Sequence, residues 1–190
     1  MQTPNSKGCD ANGLMPVNDA IEAVLAAAEP LKRKAQTVYL EKALGRVLAE
    51  DVLAHVAVPP ADNSAMDGYA MCAADIHMGR WFSISQRITA GAISGPLEKG
   101  TVARIFTGAE LPEGADCVIP QEAAELDENG AVRFTELPNA GNWVRPQGQD
   151  VMLGQCVCKA GTKLRAADIA MIASVGVDSV SVWPTLRVGI

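Results

Sequence analysis

Short apolar runs punctuated by turn formers fill the middle of this 190-residue chain. Trp81 to Ser85, Thr101 to Phe106, Cys117 to Gln121 and Ala131 to Thr135 are separated by Gly91, Gly95-Pro96, Gly108, Pro112, Gly114, Asp127-Glu128-Asn129-Gly130 and Pro138. Regular spacing with Gly, Pro, Asn and Asp between runs is the all-β pattern, whether sandwich, barrel or irregular meander. Asn129-Gly130 marks a hairpin, because both residues tolerate the positive φ of a tight turn.

The flanks read differently. Val17, Ala20, Ile21, Val24, Leu25 and Ala28 recur at helical spacing, predicting a helix from about Pro16 to Glu29 that Pro30 stops. So short a helix needs its stripe covered, by the core or by a partner subunit. Thr37 to Leu40 predicts a strand, followed by a brief helix capped at Gly45 and a strand running from Val47 towards Pro59. Towards the other end, Gln155 to Lys159 and Gly161 to Leu164 read as strand and turn, Ala166 to Val175 as a helix capped by Gly176, and Ser179 to Trp183 as a strand. The expected fold is therefore α+β and β-rich, with irregular sheets and one helix near each end. The β block, 54–154, is expected to be inserted into a discontinuous α/β domain made of 16–53 plus 155–185. Residues 1–15 read as a loose tail. The strand-like run 186–190 breaks off without a turn, as the start of a further, truncated domain would.

Composition removes several function classes. Hydrophobic residues make up 48% and charged residues 20%, so the chain folds rather than staying disordered. A formal net charge of −6 argues against generic nucleic-acid binding, yet a few placed arginines or a divalent cation still suffice for an anionic small molecule. No apolar run approaches a membrane span and no secretory signal opens the chain. Five cysteines, Cys9, Cys72, Cys117, Cys156 and Cys158, lack zinc spacing and read as reduced residues of a cytoplasmic protein. His55 and His77 have no companion at metal-ligand spacing, which also makes a Ser-His-Asp triad improbable. Gly95 to Thr101 lacks the lysine of a phosphate loop, and no dinucleotide fingerprint occurs elsewhere.

Three stretches carry chemistry. Asp62-Asn63-Ser64-Ala65-Met66-Asp67-Gly68-Tyr69-Ala70 follows Pro59-Pro60 and puts two carboxylates, an amide and a hydroxyl on one short loop. Asp67-Gly68 signals a hairpin turn, so the loop either reverses the chain or presents Asn63, Ser64 and Asp67 to a ligand or metal. Thr107-Gly108 falls where a strand yields to a turn; it is a plain turn or offers an anion a hydroxyl and nearby backbone N–H groups. In Val144-Arg145-Pro146-Gln147-Gly148-Gln149-Asp150, the Arg145 fork suits phosphate or oxyanion, and Asp150 either binds metal or pairs with Arg145.

The wording of these stretches resembles the MoeA/gephyrin E-domain family, the molybdenum-insertion enzymes of molybdenum cofactor synthesis. Four segments agree in the family's order: Ala-Leu-Gly-Arg-Val-Leu-Ala-Glu-Asp-Val ending at Val52, the nonapeptide ending at Ala70, Arg104 through Thr107-Gly108 to Pro112-Glu113-Gly114-Ala115-Asp116, and Arg145 to Asp150. The family carries Glu where Gln149 stands, which removes one negative charge. The resemblance implies the two N-terminal domains of an elongated homodimer, the first domain serving dimerisation. It implies an enzyme that inserts molybdenum from molybdate into adenylylated molybdopterin, releases AMP, is assisted by Mg²⁺ and works with a molybdopterin-adenylylating protein or domain. It assigns Asp67 and Thr107 to catalysis, Asp67 acting through Mg²⁺ or by positioning substrate, and Arg145 and Asp150 to substrate binding. The family's third domain completes the cleft, so this chain alone is expected to be inactive. A non-catalytic scaffold or a ligand-sensing module built on the same domain is the alternative.

Overall fold

The computed structural model describes residues 15–27 and 34–186. The expected tail 1–14, Cys9, the Pro30 stop and the final run 187–190 lie outside the described residues. The chain divides into two compact units, 1–34 and 35–190.

In the first unit, α1 spans Val17–Ala27, with the Ala20 N–H donating to Pro16 O at 3.0 Å and Asp19 in the first turn. An acidic residue there favours the helix dipole. Val17, Ile21, Val24 and Leu25 form the expected stripe, and all four are exposed.

The second unit is β-rich. Its strands in order are β1 (Gln36–Tyr39), β2 (Val52–Leu53), β3 (Asn63–Ser64), β4 (Gly68–Met71), β5 (Ile84–Ile88) and β6 (Val102–Ile105). Then come β7 (Cys117–Pro120), β8 (Ala124–Leu126), β9 (Val132–Phe134), β10 (Val144–Arg145), β11 (Cys156–Cys158), helix α2 (Ala166–Ser174) and β12 (Ser179–Val182). β1 pairs antiparallel with β12, β2 with β11, and β3 with β10, so sequence-distant segments close on each other. The central sheet runs β5-β6-β4-β7, with β5 parallel to β6 and the other pairs antiparallel.

Every residue of β4 is buried, as a strand covered on both faces requires. Tyr69 and Met71 join Phe82, Val102, Ile119 and Phe134 on one side; Ala70 joins Ile88, Ile105 and Val118 on the other. A separate core is drawn from both ends of the unit, including Leu48, Val52, Leu164, Ile172, Val180 and Val182. The β-rich α+β expectation therefore holds, with small irregular sheets and two α-helices among the described residues.

Local expectations needed correction. The nonapeptide is not a hairpin: β3 leaves for β10, and β4 enters the central sheet. Trp81 to Ser85 is not one strand, because Phe82 bridges to Val132 before the pairing with β6 begins at Ile84. The long strand towards Pro59 shrinks to Val52–Leu53, and the brief helix is a single 3₁₀ turn, Leu40–Lys42. Gly45 and Gly176 do take the positive φ expected after a helical segment. The Asn129-Gly130 hairpin forms between β8 and β9, with Asp127 Oδ1 accepting from the Asn129 and Ala131 N–H groups.

Candidate functional site

Three segments lie side by side at the end of the central sheet where β4 begins and β6 ends. The Ser64 N–H donates to Ala109 O at 2.9 Å and Ser64 O accepts from Gly108 N–H at 2.8 Å. On the other side, Ser64 faces Val144, Asn63 faces Arg145, and the Ala65 N–H donates to Trp143 O at 2.9 Å. The stretch beginning at Asn63 is thus clamped between the Thr107-Gly108 turn and the Arg145 strand. Asp62 tightens the clamp: its Oδ1 accepts the Gln147 N–H at 2.7 Å, and Gln147 Nε2 donates to Pro60 O at 2.6 Å.

Ser64 is buried, and its hydroxyl donates to Met66 O at 2.5 Å. That side chain builds the turn. The turn delivers Asp67 to Thr107, whose backbone N–H and hydroxyl both donate to Asp67 Oδ1, at 2.8 and 2.7 Å. These two bonds hold the Asp67 carboxyl below the ordinary 3.8, the backbone bond contributing most, and the Arg104 charge adds to the shift. At neutral pH the group is an anion and a poor general acid. Its Oδ2 accepts no protein hydrogen bond among the described residues. Such a carboxylate suits holding a cation or orienting a substrate N–H or O–H.

The expectation for Thr107 therefore changes. Its hydroxyl and N–H do not await an anion; both are committed to Asp67. The Arg145 fork is likewise engaged, Nη2 with Asp150 Oδ2 at 2.7 Å and Nε with Gln149 Oε1 at 3.3 Å. Both partners of that ion pair are about half exposed, so the contact stabilises the fold little and yields readily to a competing anion. Asn63 keeps a buried Oδ1 with no hydrogen-bond partner among the described residues. Gln149 fills the position where a carboxylate was expected and uses its neutral oxygen to brace Arg145.

Sequence reasoning missed the supports. Arg104 Nη1 donates to Gly68 O at 2.7 Å and Nη2 to Gln121 Oε1 at 2.5 Å, while the Gln121 N–H donates to Asp67 O at 3.0 Å. Trp143 holds φ 54°, an uncommon left-handed backbone for a bulky residue, while its carbonyl receives the Ala65 N–H. An arginine on an apolar strand was the one signal available for Arg104; for Trp143 the sequence offered none. No three His, Cys, Asp or Glu residues cluster as a metal site among the described residues. No described helix is long and apolar enough to cross a membrane.

Comparison with known proteins bears on this geometry. The family model of the MoeA N-terminal region (domain I and II) matches residues 15–176. A molybdopterin molybdenumtransferase of Haemophilus influenzae is 37% identical over 168 residues, which span 85% of this chain and 41% of the relative. One from Bacillus subtilis is 32% identical over 188 residues, 93% of this chain and 43% of the relative. The crystal structure of a molybdopterin biosynthesis moeA protein from Pyrococcus horikoshii OT3 superposes with a TM-score of 0.78 at 31% identity, covering 90% of this chain and 46% of that one. The chain therefore spans less than half the length of these relatives.

Proposed function

Because this chain belongs to the family of MoeA N-terminal regions, we propose that it is the N-terminal part of a molybdopterin molybdenumtransferase. That enzyme of molybdenum cofactor synthesis inserts molybdenum from molybdate into adenylylated molybdopterin and releases AMP. The observation that carries the proposal is the Asp67 carboxylate, fixed by two donors from Thr107 and left with one oxygen free of protein donors. Asp67 supplies a fixed negative charge at the reacting end of a polyanionic substrate. Thr107 is the positioning residue that sets its direction. Arg145 exchanges its exposed Asp150 partner for a substrate oxyanion.

The donor set fits Mg²⁺ in the manner that ion is commonly held, with one carboxylate oxygen from Asp67 and the rest of its shell from substrate phosphates and water. When bound there, Mg²⁺ would offset phosphate charge. Within 35–190, the core that Ala43, Leu48 and Val52 share with Leu164, Ile172 and Val180 supports a discontinuous first domain with a β-rich second domain inserted. Ala54 and Val151 also join that core, so the insertion begins after Ala54 and ends before Val151. We extend the reading to a homodimer acting in the cytoplasm alongside a molybdopterin-adenylylating protein or domain.

The test is rescue of a cell lacking its molybdenumtransferase by the longer protein that carries this region. Wild type is expected to restore molybdenum-enzyme activity and Asp67→Ala to fail at equal protein level. Rescue by Asp67→Ala at the wild-type level would remove Asp67 from the mechanism.

A further inference from the structure

We propose that Arg87, backed by Arg104 across the ring of Phe106, binds a tetrahedral oxyanion. Arg87 on β5 stands in register with Arg104 on the parallel strand β6, which puts both side chains on one face of the sheet. Phe106 follows two residues after Arg104 on the same face. Both guanidinium carbons lie 4.6 Å from the centroid of its ring. Two like charges gathered on one ring repel each other, and the ring's negative face only partly offsets that. A bound anion would remove the conflict.

The two arginines are not equivalent. Arg104 is half-buried and spends its donors on Gly68 O, Ile105 O and Gln121 Oε1. Arg87 is exposed and has no hydrogen-bond acceptor and no carboxylate partner among the described residues. Arg133, Arg145 and Arg165 each pair with a carboxylate. Arg87 is thus a guanidinium fork fixed in direction by a ring, with every donor left over, in a chain of net charge −6. Pre-orientation of this kind lowers the entropic cost of gripping an anion.

Position connects it to the site. The Phe106 N–H donates to Ile88 O at 3.2 Å, so the residue after Arg87 is tied to the residue before Thr107. Thr107 in turn holds Asp67. The arginine pair is thereby joined to the Asp67 segment through 104–107, and a phosphoryl group or molybdate would meet Arg87. That the oxyanion belongs to a substrate rests on the preceding reading; the anion site itself does not.

The test titrates the protein separately with pyrophosphate, AMP and molybdate by calorimetry, at fixed ionic strength. Wild type is expected to bind at least one of them, and the one bound identifies the source of the oxyanion. Arg87→Ala is expected to weaken it by about ten- to hundredfold, the loss typical of a charge-assisted bidentate contact. Arg87→Lys should fall between, keeping the charge without the fork, and Phe106→Leu should also fall between, keeping the fork without its platform. Arg133→Ala, which removes an arginine stacked on Trp81 elsewhere, should bind as wild type. Failure of wild type to bind any of the three, or equal affinity in wild type and Arg87→Ala, would overturn the proposal. If Arg87-dependent binding persists while the wild-type longer protein fails to rescue cells, the enzyme reading fails and the anion site stands.

Discussion

At the scale of single residues, one carboxylate oxygen with two donors fixes the geometry of the candidate site. Thr107 holds Asp67 below the ordinary 3.8, so the folded value lies under the unfolded one. The stability linked to Asp67 is then complete above 3.8 and is lost as pH falls through the lower folded value. Thr107→Val removes the hydroxyl donor and keeps the backbone N–H. An NMR titration of the Asp67 carboxyl should show its pKa move up towards 3.8 without reaching it; an unchanged value would mean the hydroxyl bond does not form in solution. The sequence made Asp67, Thr107, Arg145 and Asp150 legible as residue types on polar loops. It did not reveal that Thr107 serves Asp67, since a contact spanning forty residues depends on which strands pair.

At the scale of elements, β4 decides where the site stands. Gly68 is glycine for space: a Cβ there would overlap the carbonyl of Ile119 on β7. Gly68→Ala is expected to destabilise the fold by about 3 kcal/mol, read from the denaturant midpoint. A smaller loss than about 1 kcal/mol would mean that β4 and β7 separate easily. Because Arg104 holds Gly68 O and Gln121 holds Asp67 O, the same substitution should lower activity beyond what lost stability explains. Periodicity and turn formers located most strands to within a few residues. They failed where a run changes partner part-way, as at Phe82, and where a strand is too short to show alternation, as at Asn63–Ser64. Of the turn formers expected in the nonapeptide only Ser64 bends the chain with its side chain, whereas Asn63 lies in β3 and Gly68 opens β4 without a positive φ. Here Ser64 is held by the 107–109 turn and by β10, and Gly68 by the central sheet.

At the scale of the whole molecule, the unit 35–190 keeps three groups of buried side chains apart, one drawn from the chain's distant segments and two from its middle, on either side of β4. Leu48 sits at 0% exposure in the first and Phe82 at 1% in the second. Leu48→Ala and Phe82→Ala should each cost about 3–4 kcal/mol, and a double variant that still folds should lose close to the sum, because the two sites share no partner. A double-mutant loss far from additive, read by equilibrium unfolding, would mean that the two cores are coupled. The order of helix, β-rich middle and helix leads to the expectation of an inserted β block, but it cannot reach the pairing of individual strands. Strand pairing between 36–39 and 179–182 follows from no local signal.

The most direct measurement is molybdate-dependent AMP release from adenylylated molybdopterin by the full-length protein, comparing wild type with Asp67→Asn. This exchange keeps the shape and removes the charge that Thr107 holds in place. A fall in turnover of about a hundredfold or more, with an unchanged near-ultraviolet circular dichroism spectrum, is the result expected if the fixed charge acts in the reaction. Wild-type turnover by Asp67→Asn would contradict it and leave the Asp67–Thr107 contact as a structural clasp.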